Sequence, residues 1–400
     1  IKNTITKIKD SKLTEVGSKL KGPKLNSIGI LKSHNYTTET HTVTTSDGFI
    51  LTMFRIPPRE PKENAPIVFM QHGMTATSDI YLLNGPNNGL AYMLADVGYD
   101  VWLGNARGTR YGRRHTKLSP KMKEFWQFSW HEIGTIDVPE SIDHVLKLTG
   151  QDAVHYVGHS QGGSTYLVMI SMKPEYNQKM KTVSLLAPAV YMKGLKLPKV
   201  LTTYLTARGD AEFMPSRTLL KTIEPLLCDV NNKVCSKLYF LTGRDSDATN
   251  RTILPLLLAT HPGGASTRQP LHYWQLSKSD NFAQFDFGEA ENQKRYGQEK
   301  PPEYKLSNIN KKAWISIFYG KNDERVSKSS IMRLQKQLHR PIMNEMPKGW
   351  NHLDFVIAND VKEHVNIPII QKANGYENRH KGRKNKKKKK EVANNTETES

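Results

Sequence analysis

From His41 the chain alternates polar and apolar residues through Thr42-Val43-Thr44-Thr45, turns at Ser46-Asp47-Gly48, and runs on from Phe49 to Ile56. Such runs on either side of a glycine-bearing turn predict two antiparallel strands. The pattern then changes. Pro66 to Gln71, Tyr99 to Leu103, Val154 to Val157 and Thr182 to Leu186 are short apolar runs, and helical spacing marks Leu90 to Val97 and Val138 to Thr149. Runs without alternation read as strands buried on both faces. The expected class is therefore α/β: a mostly parallel central sheet with helices on both faces. Near residue 192 the rhythm stops. Helical pieces bearing Leu, Met and Pro follow (Val200 to Ala207, Arg217 to Leu227, Ile253 to Thr260), and a strand returns only at Ala313 to Gly320. Both flanks belong to one sheet pattern, so 192–310 reads as an insertion capping the sheet. The expected organisation is a lysine-rich arm over 1–34, a core in two parts over 35–191 and 311–372, the cap or lid between them, and a disordered basic tail over 373–400.

Four hundred residues suffice to bury a large core. The formal charge of +20 sits largely at the ends: residues 379–390 hold nine Lys or Arg and no acid, and residues 1–34 hold eight lysines against two acids. Such a tail can attract an anionic surface, although runs of this kind are commonly solvated and disordered. No aromatic residues interleave with the lysines to stack on bases, so no nucleic-acid partner is expected. The longest apolar run, Ile253 to Ala259, is far too short for a membrane span and contains Pro255. The chain starts at Ile1, read as a secretory leader already removed, so the expected location is secreted or lysosomal. Sequons at Asn35, Asn250 and Asn394 fit an exported glycoprotein. Cys228 and Cys235 lie close together in a loop-like segment, where a local disulfide is favoured over two free thiols. Two cysteines without a nearby histidine make a poor zinc site, so no metal and no other cofactor is expected.

The candidate chemistry begins at Gly158-His159-Ser160-Gln161-Gly162, where an apolar strand runs into Gly-x-Ser-x-Gly and a helix-like stretch follows at once. Strand, sharp turn with a serine, then helix is the layout of a nucleophile elbow. The motif alone is weak, because chance places it in about one chain in seven of this length. Its weight comes from partners. A serine hydroxyl needs a histidine to take its proton and a carboxylate to orient that histidine, in the chain order Ser, acid, His. Among His339, His352, His364 and His380, only His352 lies in loop-like text after a strand. Two acids compete: Asp323, after the run Trp314 to Tyr319, and Asp245, after Lys237 to Leu241 but inside the insertion. Asp323 is favoured on position; Asp354 reads as a loop or helix-capping residue. Two backbone N–H donors for a developing oxyanion fall at Gln161, after the serine, and at Met74, after His72-Gly73. A serine at 160 excludes epoxide- or halide-opening chemistry, which needs a carboxylate there. Loss of a triad residue would mark a non-catalytic lipid carrier, and none is lost. An esterase of small soluble esters remains the other alternative.

These stretches together resemble the animal acid lipase family of gastric and lysosomal neutral-lipid lipases. The likeness rests on Ser46 to Leu51, Arg55-Ile56-Pro57, Gln71-His72-Gly73, Asp96 to Gly108, His155 to Gly162, Phe285-Asp286-Phe287-Gly288, Pro301-Pro302-Glu303-Tyr304 and Asn351 to Phe355, spanning about residues 35 to 370. It implies the α/β-hydrolase fold, a triad of Ser160, Asp323 and His352 rather than Asp245, a cysteine pair at Cys228 and Cys235 in the lid region, and hydrolysis of triacylglycerols or sterol esters at a lipid–water interface. The lysine-rich tail has no counterpart in that family.

Overall fold

A computed structural model describes residues 26–195, 199–214, 246–310 and 313–380. The strands are β1 (Glu39–Thr44), β2 (Phe49–Ile56), β3 (Ile67–Gln71), β4 (Asp100–Gly104), β5 (Arg114–His115), β6 (Val154–His159), β7 (Met180–Leu186), β8 (Glu212–Phe213), β9 (Ala265–Ser266), β10 (Trp314–Tyr319) and β11 (Ile342–Glu345). The longer helices are α1 (Ser27–Ser33), α2 (Leu90–Asp96), α3 (Val138–Thr149), α4 (Gln161–Met172), α5 (Lys199–Arg208), α6 (Leu254–Thr260), α7 (Arg268–Ser279), α8 (Glu289–Tyr296) and α9 (Lys328–Gln337). The main sheet runs β1-β2-β4-β3-β6-β7-β10-β11, with β5 joined to β2. Every pair from β4 to β11 is parallel, and the hairpin β1–β2 adds antiparallel strands at one edge.

Alternation inside the buried strands builds a core on each face. Ile67 and Phe69 of β3, Trp102 of β4, Tyr156 of β6 and Ile315 and Ile317 of β10 share one cluster with α3 and α4. Their neighbours Val68, Met70, Val101, Leu103, Val157 and Phe318 share the other with α2 and the helix over 367–380. Helix α3 shows how sequence sets this packing. Val138, Ile142, Val145 and Leu146 fall on one stripe, Pro139 occupies the first turn, and Gly150 ends the helix at φ 65°. Each buried aliphatic side chain contributes about 1.5–3 kcal/mol relative to exposure. In strand order, β3 has β4 on one side and β6 on the other. At such a reversal the loops leaving neighbouring strands diverge and open a crevice at their C-terminal ends. Gln71-His72-Gly73 and His159-Ser160 leave β3 and β6 there.

Three segments differ from expectation. Residues 27–33 of the expected arm form α1, whose Ile30 and Leu31 are buried in the second core. The tail expected from 373 begins with helix: residues 367–380 are continuous, and Ile369, Ile370 and Ala373 form an apolar stripe that the lysine run masks in the sequence. Within 192–310, Tyr273, Leu276, Phe282, Tyr304, Leu306 and Ile309 join the first core. Only part of that stretch stands apart from the sheet.

The glycine-flanked segment Gly104 to Gly108 turns out to be a brace. Arg107 is fully buried, donates from its backbone N–H and Nε to Asp137, and donates from both terminal nitrogens to Asp47 of the β1–β2 turn. Asn105 ties Ser78 to the Thr52 carbonyl. Arg107→Met would leave the buried Asp137 carboxylate without its counter-charge. It is expected to cost about 3–5 kcal/mol of stability, read by denaturant unfolding. A loss within 1 kcal/mol would contradict the bracing role.

Candidate active site

The turn between β6 and α4 is strained where the sequence places its serine. Ser160 sits at φ 53°, ψ −113°, a conformation costing on the order of 1–3 kcal/mol for a residue with a side chain. Its surroundings over-determine it. The Ser160 N–H donates to the Leu186 carbonyl at 2.8 Å, and the Ser160 carbonyl accepts from Ala189 N–H at 3.3 Å. The flanking glycines permit the close approach: a side chain on Gly158 would strike the Gly162 carbonyl, one on Gly162 the Gln71 carbonyl of β3, and one on Gly163 the ring of Pro188.

Ser160 Oγ lies 2.7 Å from His352 Nε2, and His352 Nδ1 lies 2.8 Å from Asp323 Oδ2. The other oxygen, Asp323 Oδ1, accepts from the N–H groups of Arg325 at 2.8 Å and Val326 at 2.9 Å. Burial alone would raise the Asp323 pKa, but the His352 ring and these two amides overcome it and hold the carboxyl below its usual range. An ionised Asp323 only accepts, so His352 Nδ1 carries the hydrogen and Nε2 presents a lone pair to the serine hydroxyl. A histidine in that state can take the hydroxyl proton.

The loop carrying His352 is folded by its neighbours. Asp354 is buried and accepts from Asn351 N–H at 2.6 Å and Thr249 Oγ1 at 2.6 Å, while Asn351 Oδ1 accepts from the N–H groups of Leu353 and Asp354. Burial raises the Asp354 pKa. Asp354 thus acts as a loop-capping residue and staples the loop to Thr249, 105 positions earlier in the chain. On the other side of Ser160, a Cβ on Gly73 would lie 3.1 Å from Ser160 Cβ, so the Gly73–Met74 backbone borders the hydroxyl. Among the described residues, the N–H groups of Met74 and Gln161 donate to no backbone or side-chain acceptor. His72 holds that loop. Burial lowers its pKa to about 4, so the neutral ring donates from Nδ1 to the Gly73 carbonyl at 2.7 Å and accepts at Nε2 from Ala106 N–H at 3.1 Å.

The remaining candidates fall elsewhere. Asp245, Cys228, Cys235 and Asn394 lie outside the described residues. Asn35 is exposed after α1 at φ 59°. Asn250 is half-buried, and its Nδ2, the atom a glycan would take, donates to Asn84 Oδ1 at 3.1 Å. His339 follows α9, His364 sits in a turn over Lys362–Asn366, and His380 ends the helix over 367–380, stacked on Tyr376. His159, His72 and Thr249 carry no individual role in the sequence pattern; each makes a bond to a segment distant in the chain, to His352, Ala106 and Asp354 respectively. Among the described residues no cluster of three or more His, Cys, Asp or Glu gathers as a metal site, and no helix is long and apolar enough to cross a membrane.

Fold and site together define a serine hydrolase of the α/β-hydrolase class. A family model described as "alpha/beta hydrolase fold" matches residues 66–355, and one described as "Partial alpha/beta-hydrolase lipase region" matches residues 28–85. The chain is 38% identical over 366 residues to Lipase 3 of Drosophila melanogaster, covering 87% of this chain and 92% of that protein. It is 35% identical over 353 residues to human gastric triacylglycerol lipase, covering 84% and 87%. Among solved structures, a bacterial membrane phospholipase A superposes with a TM-score of 0.51 at 16% identity, covering 94% of this chain and 97% of that one, a likeness of fold. The chain belongs to the animal acid lipase family.

Proposed function

We propose that this protein hydrolyses carboxylic esters of neutral lipids, triacylglycerols first and sterol esters as a second class, through an acyl-enzyme on Ser160. His352 takes the Ser160 proton as Oγ attacks the ester carbonyl and returns it to the leaving alcohol. Asp323 holds His352 in the required tautomer, and the N–H groups of Met74 and Gln161 receive the oxyanion. Water then repeats the sequence and releases the fatty acid. The observation that carries this reading is the unbroken chain from Ser160 Oγ to His352 at 2.7 Å and from His352 to Asp323 at 2.8 Å. The relative named a gastric triacylglycerol lipase supports the substrate class.

The described part of 192–310 that does not join the core, α5 foremost, acts as a cap that admits a long acyl chain, each buried CH₂ favouring binding by about 0.8 kcal/mol. Val200 and Tyr204, one turn apart on α5, are 78% and 50% exposed, two large side chains that can enter a lipid surface from a helix whose other exposed positions include Lys199 and Arg208. Secretion or lysosomal delivery, with Asn35 as the exposed sequon among the described residues, fits a substrate met outside the cytosol. Turnover of tributyrin is expected to rise severalfold once the substrate passes its solubility limit and droplets form. A rate that tracks total ester concentration smoothly through that limit would contradict a lid opened at the interface. The substrate test is release of oleate from triolein and from cholesteryl oleate between pH 4 and 9. Activity confined to short, soluble esters would overturn the lipase assignment.

A further inference from the structure

The residue preceding the serine touches the same histidine as the serine does, from the opposite side of the linkage. His159 is 1% exposed, and its Nε2 lies 2.9 Å from the backbone carbonyl oxygen of His352. The two rings are 5.1 Å apart and tilted by 39°. A carbonyl only accepts, so Nε2 carries the hydrogen and donates. That leaves Nδ1 as a bare lone pair, buried and, among the described residues, without a hydrogen-bond partner. The ring stays neutral because burial lowers its pKa to about 3; His352 and His72 nearby add to that, while the carbonyl bond and Asp323 oppose it. Two consecutive residues therefore grip His352 at two points, its ring through Ser160 Oγ and its main chain through His159 Nε2.

We propose that His159 is a positioning residue for ester hydrolysis: by donating to the His352 carbonyl it locks the histidine loop to the elbow and sets the approach of the His352 ring to Ser160. The inference rests on the reading of Ser160 and His352 as nucleophile and base. An apolar side chain would fill the same space without stranding a buried nitrogen such as Nδ1, so the bond made by Nε2 is the use of an imidazole here. The Asp354–Asn351–Thr249 staple fixes the far side of the loop, and His159 supplies the only side-chain bond from the elbow to the His352 main chain among the described residues.

The test compares wild type with His159→Leu, which removes the donor, and His159→Gln, whose Nε2 amide can reach the same carbonyl. Turnover of a short soluble ester gives kcat and KM, and the rate of inactivation by a small organophosphonate reads nucleophile activation without the cap. His159→Leu is expected to lower kcat and the inactivation rate by about 10–100-fold, the scale of a misplacement near 1 Å, with KM within twofold. His159→Gln is expected to recover most of both. The inference is overturned if His159→Leu keeps wild-type kcat. It is also overturned if the folded Gln variant is as slow as Leu, or if loss falls on KM. Ser160→Ala run alongside separates the two readings: hydrolysis surviving in that variant sinks the proposed chemistry itself, whereas an inactive Ser160→Ala beside an unimpaired His159→Leu removes only the role of His159.

Discussion

Ser160→Ala is expected to lower kcat for ester hydrolysis by about 10⁶-fold, because the variant leaves no nucleophile beside His352 to form the acyl-enzyme and the remaining oxyanion donors act on water alone. The fold should not suffer. Among the described residues Ser160 Oγ is bonded only to His352, and the turn is held by the Ser160 backbone through Leu186 and Ala189. The strain at φ 53°, ψ −113° belongs to any residue with a Cβ, so Ser160→Gly should unfold at higher denaturant than wild type. The gain is on the order of 1 kcal/mol after the added freedom of glycine in the unfolded chain. A Gly variant both inactive and less stable would show that the backbone strain has been misassigned.

Asp323→Asn is expected to lower kcat by about 10⁴-fold while leaving substrate binding nearly intact. The geometry says why an isosteric change is so damaging. Asp323 Oδ1 is fixed by the N–H groups of Arg325 and Val326, so the Asn oxygen stays there and its NH₂ must face His352. An NH₂ donates, which forces His352 to accept at Nδ1 and to carry its hydrogen on Nε2. That tautomer cannot take the Ser160 proton. The same substitution changes acid stability. The folded Asp323 pKa lies below its usual value, so its carboxylate contributes stability that is complete above the ordinary carboxylate range and is lost as pH falls through the folded value. The Asn variant should lack that part of the acid limb. Retention of more than a tenth of wild-type kcat by a folded Asn variant would contradict the assigned tautomer.

Legibility followed the range of the interactions. β3 and β6 were readable because both faces of each strand are buried, which leaves largely apolar runs without alternation, such as Ile67 to Met70. Ser160 was readable because the tight turn demands glycines at 158 and 162, and His352 because a loop histidine after a strand stands out from the helical histidines. Asp323 needed more, since Asp245 has the same local text: its place outside the insertion favoured Asp323, and family resemblance then settled the choice. What stayed hidden is set by pairings across the chain. Thr249 with Asp354, His159 with the carbonyl of His352, and Arg107 with Asp47 and Asp137 link positions far apart in sequence, and no local pattern names the partner. The helix over 367–380 was hidden for a different reason: its stripe of Ile369, Ile370 and Ala373 runs straight into the lysines, whose charge dominates any reading of composition.

In the proposed reaction Ser160 attacks a long-chain ester. Treatment with a long-chain alkylphosphonate 4-nitrophenyl ester, followed by peptide mass spectrometry and a triolein assay on the same sample, tests it most directly. One phosphonyl group per chain is expected, located on Ser160, with oleate release falling in proportion to labelling. Full labelling at another residue, or triolein hydrolysis that persists once Ser160 is blocked, would contradict it.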